Sequence, residues 1–181
     1  RTQRLLVRLV EQRRHLLDVA CHHQHALATL RQATELSAHV IAERESDDEA
    51  VLLVQDGGTV ICPTFSTNLH HEVEMVVVIG EDCQDVPAND AKSVIAGYGL
   101  GLDMTLRDLQ HAAKQQGSPW AVAKGFRTSA PISRILPAAL FTHIPDFDIE
   151  LSVNNVGRQK SSTKLMERSV ATLIEYLSSV F

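Results

Sequence analysis

The chain has 181 residues, 44% hydrophobic and 22% charged, which is the composition of an ordinary globular domain or of one domain with an extension. A formal net charge of −5 gives no general drive toward nucleic acid or anionic membrane, and no run of apolar residues is long enough to span a bilayer. The cysteines Cys21, Cys62 and Cys83 are widely spaced and odd in number, which suits a reducing compartment and makes neither a zinc pattern nor a disulfide framework.

The first fourteen residues carry Arg1, Arg4, Arg8, Arg13 and Arg14 against the single acid Glu11, with Leu5, Leu6, Leu9 and Val10 between them at helical spacing. Such an Arg-rich, acid-poor start resembles a mitochondrial transit segment or its remnant, and it equally suits a solvated helix with a basic face. Residues 1 to about 44 hold no Gly or Pro, and Leu5, Leu9, Leu16, Val19, Leu27, Leu30, Leu36 and Val40 recur as on one face, which predicts helix. Glu43 to Glu49 is a charged linker candidate, so the chain divides into a helical N-terminal extension with linker, 1–50, and a domain, 51–181. Ala50 to Val54 predicts a strand and Asp56-Gly57-Gly58 a turn. Thr59 to Cys62 and Met75 to Ile79 are β-branched or apolar runs bounded by Pro63 and Gly80, hence strands. Asp103 to Gln116 predicts a short helix around a loop, Ile149 to Val153 a strand and Leu173 to Phe181 a helix. The class is α+β, without a convincing βαβ alternation.

Chemistry concentrates in Leu69-His70-His71-Glu72-Val73-Glu74-Met75. On a strand, Glu72 and Glu74 point to one face, because side chains alternate with period two. Two neighbouring carboxylates repel unless a cation lies between them, and oxygen-only ligands favour a hard ion such as Mg²⁺, Mn²⁺ or Ca²⁺. Asp103, placed after an apolar strand and able to turn back toward the pair, is a candidate third ligand. On spacing alone, Glu-x-Glu also describes a solvent-facing strand edge, and His70 and His71 also read as surface or capping histidines.

Four blocks in order add a resemblance. His71-Glu72-Val73-Glu74, the run Ile95 to Gln110 containing Gly101-Leu102-Asp103-Met104-Thr105-Leu106-Arg107-Asp108, Gly117-Ser118-Pro119-Trp120 through Lys124-Gly125-Phe126, and Asn154 to Gln159 followed by Ser161-Ser162-Thr163-Lys164-Leu165-Met166 are similar to motifs of the fumarylacetoacetate hydrolase family. Asp-Met-Thr-x-Arg-Asp and Gly-x-Pro-Trp resemble its mitochondrial acylpyruvase and oxaloacetate decarboxylase branch. The resemblance implies a mixed β-sandwich roll and a metal site in which Glu72, Glu74 and Asp103 bind Mg²⁺ or Mn²⁺. The metal would chelate a small 2-oxo acid or diketone and stabilise the enolate of carbon–carbon cleavage. Lys124 would neutralise developing charge, and Arg107 and Gln110, one helical turn apart, would orient substrate or metal ligands. Arg107 pairing only with a neighbouring carboxylate, and Lys124 as a surface lysine, stay open beside those roles. Trp120 reads as core packing.

Three departures from the family pattern are visible. Where the family carries a His and a Glu that activate water, His25 is followed by Ala28, a loss expected to slow general-base catalysis by roughly 10²–10⁴. The Phe-x-Lys-Pro strand is not recognisable near Val51 to Thr59, and the family continues past Phe181 with a strand and a lid loop, so the roll reads as truncated. Two functions follow: a metal-dependent hydrolase or decarboxylase of acylpyruvates or oxaloacetate, or a catalytically inactive subunit of a large mitochondrial assembly such as a ribosome or respiratory complex. A sensor that binds a dicarbonyl acid without turnover is a third. The first implies a small-molecule substrate, the second protein partners covering the truncated roll, and either a homodimer or a hetero-complex member in the mitochondrion.

Overall fold

The computed structural model describes the strand backbones at residues 2–9, 14–22 and 38–41 and the chain over residues 52–181. In chain order the strands are β1 (Thr2–Leu9), β2 (Arg14–His22), β3 (Ala38–Ile41), β4 (Leu53–Gln55), β5 (Thr59–Ile61), β6 (Leu69–Ile79), β7 (Ile95–Leu106), β8 (Ala130–Ile132), β9 (Leu136–Pro137), β10 (Asp148–Val153) and β11 (Val156–Ser162). The helices are α1 (Arg107–Gln116), α2 (Ala121–Lys124) and α3 (Val170–Val180). One sheet runs β11-β10-β1-β2-β5 and the other β3-β6-β7-β8-β4, with β9 also on β7. Both sheets are mixed: β2 with β5, β3 with β6 and β4 with β8 are parallel pairs, and β1–β10 and β6–β7 are antiparallel. This is the mixed-sheet α+β architecture that the resemblance implies.

The helix expected over residues 1 to about 44 is corrected by the structure. Its described parts are the strands β1, β2 and β3, and β1 pairs with β10 from Leu5↔Val153 to Leu9↔Ile149. A spacing of four, as from Leu5 to Leu9, belongs to a strand face as much as to a helix face. Leu5, Val7 and Leu9, and Leu17, Val19 and Cys21, also recur at period two, so long-range pairing decides between the two patterns. The charged linker and the apolar residues Leu27, Leu30 and Leu36 lie outside the described residues.

The turn at Asp56-Gly57-Gly58 is present, with Gly57 at φ 82°. The C-terminal helix begins three residues earlier than its apolar pattern suggests, because the Ser169 side chain accepts a hydrogen bond from Thr172 N and caps it. The helix expected from Asp103 begins instead at Arg107, and Asp103 is still on β7.

β6 and β7 form the frame of the site. One face of the pair carries Val73, Met75 and Val77 opposite Leu102, Leu100 and Tyr98, all buried. Ile149 and Leu151 of β10 and Val170 and Ile174 of α3 complete that core, and Tyr98, Phe141 and Phe147 meet edge to face at 5.4–6.0 Å between ring centres. On the other face, β7 offers Gly97, Gly99 and Gly101 before Asp103, so it presents no side chain until the acid. The segment through Ile135 and Leu136 lies against this bare backbone. A Cβ on Gly97 would collide with Ile135 Cγ2 and stand 2.6 Å from the Leu136 carbonyl oxygen.

Backbone cannot retreat as a side-chain end can, so Gly97→Ala is expected to cost about 1–3 kcal/mol through overpacking. Urea unfolding monitored by circular dichroism measures it, and an unchanged midpoint would refute the close-packing account.

Candidate metal centre

The period-two geometry of β6 puts Glu72 and Glu74 on its glycine-facing side, and the antiparallel register puts Asp103 directly across from Glu72. One carboxylate oxygen from each of Glu72, Glu74 and Asp103 lies within 4.8 Å of the others. Glu74 is buried, and Glu72 and Asp103 are partly exposed. Asp103 therefore joins the pair from within a strand, without turning back through a loop.

Two cations face these acids. β7 runs straight into α1, so Arg107 follows Asp103 by four residues at the strand–helix junction. Arg107 Nη2 donates to Glu72 Oε1 at 2.5 Å, and its Nη1 donates to Gln110 Oε1 at 2.5 Å. α1 ends at Gly117, which takes the left-handed conformation at φ 65° and turns the chain toward α2. From the last turn of α2, Lys124 Nζ donates to Glu72 Oε2 at 2.7 Å and to Asp103 Oδ2 at 2.5 Å. Lys124 is thus bound among the carboxylates. Trp120, expected in the core, is 44% exposed instead. Its carbonyl accepts from Ala123 N and Lys124 N and so starts the turn that carries the lysine.

Burial pushes the Glu72 carboxyl up, but the hydrogen bonds from Lys124 and Arg107 outweigh it and hold this acid below the usual glutamate range. Burial likewise opposes the charge on Lys124, and the bonds to Asp103 and Glu72 outweigh it and raise the lysine above its usual range. His71 lies on the opposite, core-facing side of β6, opposite Met104. Burial, then the charges of His70 and Arg158, bring it down to about 4, so it is neutral at ordinary pH and takes no place among the carboxylates.

Oxygen-only donors and an approach of three carboxylates suit a hard divalent cation, and the residues present fit one. Glu72, Glu74, Asp103, Lys124 and Arg107 come together in one cluster, with Gln110 reaching it through Arg107. Asp108 also shapes the site. Its carboxylate accepts from Ser66 Oγ at 2.7 Å, Thr67 N at 3.0 Å and Leu109 N at 3.0 Å, which ties the loop before β6 to the first turn of α1. The signal that finds it is an acid in the first turn of a helix, next to the arginine that the site uses.

Comparison with known proteins follows the same lines. The family model described as fumarylacetoacetate hydrolase, C-terminal, matches residues 22–181. A mitochondrial oxaloacetate tautomerase of Arabidopsis thaliana is 45% identical over 127 residues, 70% of this chain and 57% of that protein. The human mitochondrial oxaloacetate tautomerase is 38% identical over 125 residues, 69% of this chain and 57% of that protein. The crystal structure of a fumarylpyruvate hydrolase from Pseudomonas aeruginosa, in complex with Mn²⁺ and pyruvate, superposes with a TM-score of 0.63 at 34% identity, covering 80% of this chain and 57% of that one. The chain thus spans little more than half the length of the curated relatives it matches.

Burial raises the Asp108 carboxyl, but the bonds from Thr67, Ser66 and Leu109 more than offset this and leave it below the usual carboxylate range. A depressed native value means stability that is present above the unfolded value, about pH 4, and is lost as pH falls through the native one. Asp108→Asn is therefore expected to be less stable than the parent at pH 7, with the gap closing as pH falls below the ordinary carboxylate range. Thermal unfolding of both proteins across that range measures it, and a gap that stays constant with pH would contradict the assignment.

Proposed function

Because the chain belongs to the fumarylacetoacetate hydrolase family, we propose that it is a Mg²⁺- or Mn²⁺-dependent enzyme that works through the enolate of a small 2-oxo acid, with tautomerisation of oxaloacetate as its reaction. The observation that carries this reading is the carboxylate triad of Glu72, Glu74 and Asp103 with Lys124 lying across it. A divalent ion held by these three acids supplies Lewis acidity to the oxygens of a 2-oxo acid and so favours its enolate.

The chain's own residues divide the remaining work. Lys124, raised above its usual range, stays an ammonium at neutral pH, so it acts as a fixed positive charge beside the developing enolate and not as a base. Arg107 has its guanidinium bound at both ends, by Glu72 and Gln110, so it orients a metal carboxylate and leaves substrate binding to other groups. Gln110 holds the far end of that arginine. Two of the relatives are named for tautomerisation of oxaloacetate and one solved neighbour for hydrolysis of fumarylpyruvate, and both reactions pass through an enolate. Tautomerisation of the enol takes the proton from its oxygen to give that enolate and returns a proton to carbon, so a proton is both removed and delivered and no bond between heavy atoms breaks. Hydrolytic cleavage or decarboxylation of acylpyruvates and oxaloacetate belongs to the same enolate chemistry, and cleavage by water also needs a base to activate it. His25 and Ala28, where the resemblance expects that base and its partner, lie outside the described residues. The inactive-subunit reading leans on a helical N-terminal extension, whose described parts are instead the strands β1, β2 and β3. The mitochondrial names of the relatives support a mitochondrial place for this chain.

Calorimetry on the chain is expected to show one Mn²⁺ site that Glu74→Gln abolishes, and a folded parent that binds no Mn²⁺ or Mg²⁺ would end the proposal. Following the decay of enol-oxaloacetate absorbance, Lys124→Met is expected to lose at least about 10²-fold in kcat while still binding Mn²⁺. Turnover unaffected by that substitution would remove Lys124 from the mechanism.

A further inference from the structure

We propose that Gln159 is a positioning residue for the metal carboxylates, fixing the backbone between Glu72 and Glu74 from the opposite sheet. The inference rests on the metal-site reading above. Gln159 is on β11, the edge of the five-stranded sheet, and its Oε1 accepts a hydrogen bond from Val73 N at 3.3 Å. Val73 is the residue between the two glutamates on β6, in the other sheet.

How Gln159 reaches that amide follows from the register of the β10–β11 hairpin. The turn is closed by Asn154 and Asn155, both at positive φ (51° and 65°), a two-residue connection whose twist suits the strands. From the turn the pairs run Val153↔Val156 and Ser152↔Gly157. Continued without interruption, they would set Arg158 opposite Leu151, on the core face, and Gln159 opposite Glu150. The register instead shifts, so that Leu151 pairs with Gln159 and Arg158 is the extra residue of a bulge. Leu151 is fully buried, and directly opposite residues share a face. The bulge thus moves the arginine to solvent and sends the glutamine inward.

A half-buried amide side chain favours a polar partner, and the amide of a buried strand residue such as Val73 needs one. Among the described residues, β3 pairs with β6 only from Met75 onward, so Val73 N lies beyond the end of that partner strand. Gln159 supplies the acceptor there. Fixing the amide plane on either side of Val73 fixes the pleat that aims Glu72 and Glu74 at one point, the kind of outer support whose loss weakens metal affinity by about 10- to 100-fold.

The test uses the full chain in three variants, with Mn²⁺ binding read by electron paramagnetic resonance and amide hydrogen exchange read by NMR without metal. Gln159→Leu is expected to bind Mn²⁺ at least about tenfold more weakly and to speed exchange at Val73 while Val77 stays protected. Gln159→Glu keeps an acceptor oxygen and is expected to restore Val73 protection and Mn²⁺ affinity to at least the parent level. Gln159→Asn, one methylene shorter, is expected to behave like the leucine variant and serves if that variant does not fold. Unchanged exchange at Val73, or unchanged Mn²⁺ affinity, in the folded leucine or asparagine variant would overturn the role. Loss of protection at Val73 and Val77 together would also overturn it, since the effect would then be general unfolding. Failure of the parent chain to bind Mn²⁺ would sink the metal reading itself, whereas parent binding that the variants leave unchanged sinks only the positioning role.

Discussion

Glu72 and Asp103 face each other directly across an antiparallel strand pair, a placement that like charges ordinarily make unfavourable. Glu74, buried on the same face, adds a third acid to the cluster. The surrounding structure supplies positive charge to it. Lys124 bridges the two facing acids and Arg107 binds the outer oxygen of Glu72, so α1 and α2 are held to β6 and β7 through the very groups that repel one another. Such an arrangement is stable only while partners remain in place, because removing one leaves partly buried charge uncompensated.

The strand pair that carries this charge is asymmetric in a way that separates stability from chemistry. Its core face, Val73 to Val77 against Tyr98 to Leu102, is apolar and close-packed. Its other face is almost without side chains along β7, which lets the segment around Ile135 and Leu136 lie flat against it and leaves Asp103 as the first group to project. A rigid apolar layer thus sets the positions of the acids without carrying a polar group of its own on their face.

Much of the site is legible in the sequence. Glu-x-Glu on a strand gives a shared face by geometry, and the motif blocks bring in Asp103, Arg107, Gln110 and Lys124, which lie far apart in the chain. The strand at Thr59 to Ile61 and the end of β6 from Met75 to Ile79 follow from β-branched or apolar runs bounded by Pro63 and Gly80, whereas the short strands β8 and β9 carry no such signal. The N-terminal strands are not legible, because Leu5 to Leu9 satisfies both periods and only the pairing of β1 with β10 chooses between them. Asp103 reads as an acid that follows a strand, because it opens the helical pattern expected from Asp103 to Gln116, whereas it is itself still on β7. Gln159 ends one of the motif blocks, but its inward aim depends on a one-residue register shift that no local pattern announces.

The placement of Trp120 gives the protein an optical property. It is the single tryptophan of the chain, it is partly solvated, and its carbonyl begins the short turn that ends at Lys124. Indole emission shifts with local polarity and with nearby charge, so all tryptophan fluorescence from this protein originates four residues from the ammonium that lies among the clustered carboxylates. The molecule carries its own dye a few residues along the chain from the carboxylate cluster, with no second indole to dilute the signal.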